Sequence, residues 1–179
     1  MAGLVVTLID STHHPLFKEW WALYESSFPP CERRGLEMHA DALRDSLFRC
    51  LHLADAGGFA GLLSYWQLEE LTYVEHFAIV PERRGCGLGH AALGLVPPPV
   101  VLEIELVVDN NTARRLAFYE SCSFVRLEQP HVQLAYQAGE SDVSLLLLSK
   151  PLLGNDDVAR FEHLYHAHPM RYTDSAGRR

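Results

Sequence analysis

Apolar residues recur along the chain with two different periods, and the switches between them mark out its elements. Residues 4–9 read as a short strand, whereas over 15–26 Phe17, Trp20, Trp21 and Tyr24 return at helical spacing and predict a helix whose aromatic stripe packs into the core. Pro29 and Pro30 end that helix, the charged cluster Glu32, Arg33 and Arg34 follows, and a second helix is predicted over 36–47. Residues 48–54 and 59–67 flank the turn DAGG as the arms of an antiparallel hairpin. The aromatic and β-branched run 73–80 is the next strand and stops at Pro81. A helix opening at Gly87 is cut short by Pro97, Pro98 and Pro99, which leaves it about three turns at most. Beyond lie a strand over 100–108, an amphipathic helix over DNNTARRLAFYES capped by Asp109 or an Asn, strands over 124–128, 132–136 and 143–148, and a terminal helix over 156–166. The remainder, ending in SAGRR, gives no signal, and its last residues are expected to be disordered.

The strand period also sorts the polar residues. In the run 73–80 it puts Tyr73, Glu75, Phe77 and Ile79 on one face and Val74, His76, Ala78 and Val80 on the other, so Glu75 and His76 serve the same site only if a bulge intervenes. In the following strand Glu103 and Glu105 share a face opposite Leu102, Ile104 and Leu106. Two acids in an otherwise apolar strand need a reason, because burying unpaired carboxylates is costly.

The strongest chemical signal is the turn after the 73–80 strand. Gly85, Gly87 and Gly89 remove every second Cβ where a helix begins, so backbone amides can close on an anion, and Arg84 adds a fixed charge. GxxxxGK[ST] is excluded because no Lys stands near these glycines, and GxGxxG fails because its last position is His90 or Ala92. What remains is Arg-x-x-Gly-x-Gly over residues 84–89, preceded by FAIVPERRG. Further on, Asn110 or Asn111, Ala113, Tyr119 and the pair Ser123-Phe124 follow in order.

On these residues the stretch 4–150 resembles the GNAT superfamily of acetyl-CoA-dependent N-acyltransferases. The resemblance implies an α+β fold with a central mixed, mostly antiparallel sheet flanked by helices. It implies acetyl-CoA as co-substrate, held by the loop Arg84, Gly85, Cys86, Gly87, Leu88, Gly89 and His90, by the backbone of Phe77, Ala78, Ile79 and Val80, and near Asn110 and Asn111. Glu75 would be the base that takes the amine proton and Tyr119 the acid for the departing thiolate, with a backbone N–H near Phe77 or Ala78 at the carbonyl oxygen. Glu32 and Arg33 would border the acceptor, and Glu103 and Glu105 would attract it. The chain departs from the family in the short helix after the glycines and in Ser123, which stands where the family has Gly, at a turn that favours positive φ.

Composition narrows the partners. With 179 residues and 48% hydrophobic content the chain is expected to be one domain, and a net charge of −8 argues against nucleic acid and an acidic membrane surface while suiting a cationic acceptor. A small-molecule amine and a peptide lysine both fit the acids, whereas Arg33 and Arg34 would suit an acceptor that also carries a carboxylate. A homodimer is left open. No signal peptide or membrane-spanning run is read, and Cys31, Cys50, Cys86 and Cys122 form no CxxC pair, so a cytoplasmic protein with free thiols is expected. His163, His166 and His168 lack a fourth ligand at useful spacing, so no metal is expected. The rival readings are a catalytically silent acyl-CoA-binding module and a phosphate-binding domain for another nucleotide.

Overall fold

The computed structural model describes residues 3–176. Strand β1 (Val5–Leu8) and helix α1 (Phe17–Ser27) lead through a 3-10 turn at Pro30–Glu32 to α2 (Leu36–Ala42). The hairpin β2 (Phe48–Asp55) and β3 (Gly58–Leu68) continues into β4 (Leu71–Ile79), a turn at Pro81–Arg83 and α3 (Leu88–Leu93). Then come β5 (Val100–Glu105), α4 (Asn110–Ser121), β6 (Val125–Arg126), β7 (His131–Gln133), β8 (Val143–Lys150), α5 (Asn155–Ala167) and a 3-10 turn at Pro169–Tyr172.

The strands form one sheet in the order β1-β2-β3-β4-β5-β8-β6, with β7 also on β8. Every pairing is antiparallel except β4 with β5. That parallel pair spans only Thr72↔Val100, Tyr73↔Val101 and Val74↔Leu102, after which the two strands part and the sheet opens into a V. Each face carries its own core. α1, α2 and α5 cover one, around Trp20, Tyr24, Trp66, Tyr73 and Phe161; α3 and α4 cover the other, around Leu63, Val74, Leu88, Leu102 and Tyr119.

The aromatic stripe of α1 does what its spacing predicts. Phe17, Trp20 and Tyr24 are buried, and the Trp20 indole donates to the Leu51 carbonyl at 3.1 Å, while Trp21 sits at the margin. Removing so large a buried ring costs about 3–5 kcal/mol. The close approach of β3 to β4 depends on Gly61, where a Cβ would stand 2.3 Å from the Ala78 carbonyl oxygen.

Register corrects the simple alternation of β4. Ser64 pairs with His76 but Tyr65 with Val74, so Glu75 is an extra residue, a bulge at the point where β5 leaves. Tyr73, Glu75, His76 and Ala78 consequently face the α1 side, while Val74, Phe77 and Ile79 face α3 and α4. The second helix is shorter than predicted because Arg44 and Asp45 tighten into i→i−3 bonds and the Asp45 side chain takes the Leu47 amide at 2.9 Å. β5 stops at Glu105, where its pairing with Leu145 ends; Val108 instead gives its amide to the Thr112 hydroxyl. The last residues, expected to be disordered, include 177–179, which lie outside the described residues; just before them Ser175 is buried and donates to the Ala135 carbonyl.

Candidate active site

The V between β4 and β5 is the mouth of a cleft of about 1000 Å³. One end is the glycine turn, lined by Arg84, Gly85, Leu88 and Gly89; the other is acidic, lined by Glu32, Glu103 and Glu105, with Phe28 of the segment after α1 as a wall. Phe77, Ala78 and Ile79 run along the β4 side and Tyr119, Phe118, Asn111 and Arg115 along the α4 side.

Gly85 and Gly87 have φ of +78° and +79°, a conformation in which L side chains are strained. Open space surrounds both where a Cβ would be. Gly87 precedes α3, so the amides of Leu88, Gly89 and His90 lie in the first turn, where no helical carbonyl can accept from them. The Arg84 Nε donates to the Ile79 carbonyl at 2.9 Å, which anchors the guanidinium beside the turn. A Cβ on Gly89 would meet the Phe118 ring at 2.8 Å, so the third glycine serves helix packing. Of the other loop positions, Val80, Cys86, Gly87, His90 and Asn110 do not line the cleft; His90 lies 3.0 Å from the Ser121 hydroxyl instead.

On the opposite wall Asp109 caps α4, accepting from the amides of Asn111 at 2.9 Å and Thr112 at 2.8 Å. α4 then ends in a turn where Ser123 takes φ +69° and Phe124 donates to the Tyr119 carbonyl at 3.1 Å, so serine adopts the left-handed conformation expected of the family's glycine. The Tyr119 ring is buried against Phe118 and Phe124, and burial pushes its hydroxyl pKa up, so it stays protonated.

The carboxylate of Glu75 does not meet the cleft. Its side chain is 0% exposed although the residue as a whole is partly accessible, so it lines the cleft through its backbone. Arg34 donates to both oxygens at 2.6 Å, Trp66 Nε1 to one at 3.0 Å and the Tyr136 hydroxyl to the other at 2.8 Å. Burial alone would raise this carboxyl, but the Arg34 charge and the hydrogen bonds hold it well below the usual carboxylate range. The carboxylate thus does not face the cleft, where the base expected of Glu75 would have to act. Arg33 also turns away from the acidic end of the cleft: its Nε donates to the Phe28 carbonyl at 3.0 Å, with Glu25 at 3.7 Å. Arg34, fully buried, can hold no acceptor carboxylate.

The acids behave differently from one another. Burial first, then the Glu105 charge, raises the Glu32 carboxyl above its ordinary range. Glu105 pairs with Arg115 of α4. Glu103 accepts from the Tyr73 hydroxyl at 2.9 Å and lies 2.5 Å from His131, whose other ring nitrogen is 2.7 Å from Glu162. His76, also on the cleft wall, has Nε2 2.7 Å from the Glu32 carbonyl oxygen. Sequence reading missed His131, Tyr136 and Trp66, whose partners are 28, 61 and 9 residues distant.

A sequence model of the acetyltransferase (GNAT) family matches residues 14–124, more than half of the chain. The chain belongs to the GNAT acetyltransferase family. No curated protein matches it in sequence. Among solved structures, a GNAT-family protein of Bacteroides thetaiotaomicron superposes with TM-score 0.81 at 27% identity, covering 92% of this chain and 98% of that one. The Escherichia coli ribosomal-protein-S18-alanine N-acetyltransferase follows with TM-score 0.56 at 18% identity, covering 86% and 98%. A Bacillus subtilis acetyltransferase solved with CoA gives 0.53 at 14%, covering 84% and 100%. The GNAT match ends at Phe124, so β7 with His131, the connection to β8 that carries Tyr136, and the turn Pro169–Tyr172 that holds Arg34 lie beyond it.

Proposed function

We propose that this GNAT protein moves an acetyl group from acetyl-CoA directly to the primary amine of a small cationic acceptor. The observation that carries the reading is one cleft with the glycine turn at one end and Glu32, Glu103 and Glu105 at the other. The residues present suit the thioester substrate. Gly85 and Gly87 leave the loop amides approachable, Arg84 supplies charge for a pyrophosphate, and past Val74 the β4 edge that turns from β5 offers backbone groups to an amide-bearing arm.

An alkyl amine with pKa near about 10 is mostly protonated at neutral pH, which costs roughly 4 kcal/mol of the barrier. Glu32 has no ion pair among the described residues, whereas Glu103 pairs with His131 and Glu105 with Arg115. Glu32 draws in the ammonium and takes its proton, since its raised pKa brings it closer to the working pH than an ordinary carboxylate. The free nitrogen attacks the carbonyl carbon, a backbone N–H near Phe77 or Ala78 holds the oxygen as charge develops, the C–N bond forms and the C–S bond breaks. Tyr119 gives its proton to the leaving sulfur and recovers one from the acylated nitrogen, so one proton leaves with each turnover.

Calorimetric titration with acetyl-CoA, with ATP and NAD as controls, tests the first half. Selective acetyl-CoA binding followed by thiol release with cationic amines, and loss of that release in Glu32→Gln, supports the reading. Binding without release on any amine would make the protein a silent acyl-CoA-binding module, and no selective binding would reject the cofactor assignment.

A further inference from the structure

We infer that Arg34 and Glu75 are positioning residues for the transfer: their buried pair fixes the bulge in β4 that opens the cleft, and it couples that bulge to the C-terminal turn Pro169–Tyr172. The inference rests on the acetyl-transfer reading above.

Glu75 is the extra residue of the bulge and directly follows Val74, the last β4 residue paired with β5. Its two oxygens receive four donors, from Arg34 twice, Trp66 and Tyr136, which fills the roughly four lone-pair sites of a carboxylate. Arg34 is spent in the same way. Besides Glu75, its Nη2 donates to the Pro169 carbonyl at 2.9 Å and its Nε to the Tyr172 carbonyl at 3.0 Å, while its own amide donates to the Tyr24 hydroxyl at 2.8 Å. The guanidinium lies 5.1 Å from the Tyr136 ring centroid and 5.5 Å from that of Trp66.

Two ordinary roles fit poorly. A base must reach the substrate, and this side chain is sealed from the cleft. A pure stabiliser is a weak explanation, since an apolar pair of similar volume usually serves a buried site as well as an ion pair does. Geometry is what the pair supplies. Without the bulge, simple alternation would carry Phe77 and Ile79 to the face of Glu75, pulling Phe77 from its stacked contact with Phe118 at 6.3 Å and turning over the backbone that lines the cleft. Bidentate pairing fixes Glu75 in orientation as well as position. The C-terminal turn enters through Arg34 and through the Tyr172 ring stacked on Trp66, itself a donor to Glu75, since among the described residues none after Leu145 lines the cleft.

The test compares Arg34→Lys, Glu75→Gln and Tyr172→Ala with wild type that has first been shown to bind acetyl-CoA and turn over an amine; an inert wild type would sink the acetyl-transfer reading itself. Arg34→Lys keeps the charge and loses the fork, so it reports even if Glu75→Gln does not fold. We expect kcat, per folded molecule, to fall about 10-fold or more in Arg34→Lys and in Glu75→Gln, with their double variant no worse than either single. The pH dependence of kcat/KM should keep the wild-type inflection. Tyr172→Ala, which strips its stacking on Trp66 and its bond to Asp45, should lower kcat at least about threefold at unchanged KM for acetyl-CoA. The inference is overturned if Glu75→Gln alone is slow and its rate climbs tenfold per pH unit, which would make Glu75 the base. It is equally overturned if folded Arg34→Lys has normal kcat, or if Tyr172→Ala does.

Discussion

His131 on β7 sets its Nε2 2.5 Å from Glu103 on β5, within a ring that is almost wholly buried. Burial works against its charge, but hydrogen bonds and charges from Glu103 and Glu162 outweigh that and push its pKa up from 6.5 to about 10. A folded-state pKa above the unfolded value makes the protonated ring stabilising; the contribution is complete below pH 6.5 and drains away as pH climbs toward 10. Denaturant titrations of wild type and His131→Gln should differ by on the order of 2–4 kcal/mol at pH 6 and converge near pH 10. A gap that stays constant across that range would show that His131 is not held as a cation.

Ser123 occupies the left-handed region at φ +69° at the end of α4. Its side chain carries a conformational cost there of about 1 kcal/mol that glycine avoids. Ser123→Gly should therefore stabilise the protein by roughly 0.5–1 kcal/mol, seen as a higher Tm, with turnover intact. A lower Tm would mean that the hydroxyl makes up for the backbone.

Gly61 faces the opposite problem. A methyl at this position meets the Ala78 carbonyl oxygen at 2.3 Å, and a backbone atom in a paired strand cannot swing aside. We expect Gly61→Ala to destabilise by about 2–4 kcal/mol and to weaken acetyl-CoA binding, since Ala78 lines the cleft. Unchanged denaturation would imply that β3 and β4 can separate more easily than their pairing suggests.

Much of the fold was legible because its signals are local. The helical return of Phe17, Trp20 and Tyr24, the turn at Gly57 and Gly58, and Asp109 ahead of an amphipathic run each specify an element within a few residues. The glycine turn was legible for the same reason, since Gly85 and Gly87 reveal their conformation by type. The acid and base assignments depended on long-range pairing and were less readable. Glu75 looks free in a strand until Arg34, 41 residues earlier, is folded onto it, and the bulge that turns it there is a property of β3 and β4 together. The acidic end of the cleft was partly legible: Glu32, Glu103 and Glu105 line it, whereas Arg33 beside them is drawn off by the Phe28 carbonyl.

Arg84 is anchored by the Ile79 carbonyl with its remaining guanidinium donors beside the glycine turn. Arg84→Ala should weaken acetyl-CoA about tenfold, the worth of one charged hydrogen bond, and flatten the salt dependence of binding. Equal affinity by titration calorimetry would move the pyrophosphate elsewhere.

Tyr119 is the only tyrosine on the cleft wall among the described residues. Tyr119→Phe keeps the ring packing and removes the proposed proton donor, so kcat should fall roughly 100-fold while acetyl-CoA affinity holds. Normal turnover would assign the ring to packing alone.

The bonds from Arg34 to Pro169 and Tyr172 span 135 and 138 residues of chain. At about 5–20 residues per second, ribosomal synthesis separates the arginine from its carbonyl partners by roughly 7–28 s. Through that interval a nascent chain already long enough to hold the glycine turn still has a guanidinium with no complete place to go. Arg34, and with it the bulge at Glu75, therefore has its full set of bonds only once residues 169–172 have been made.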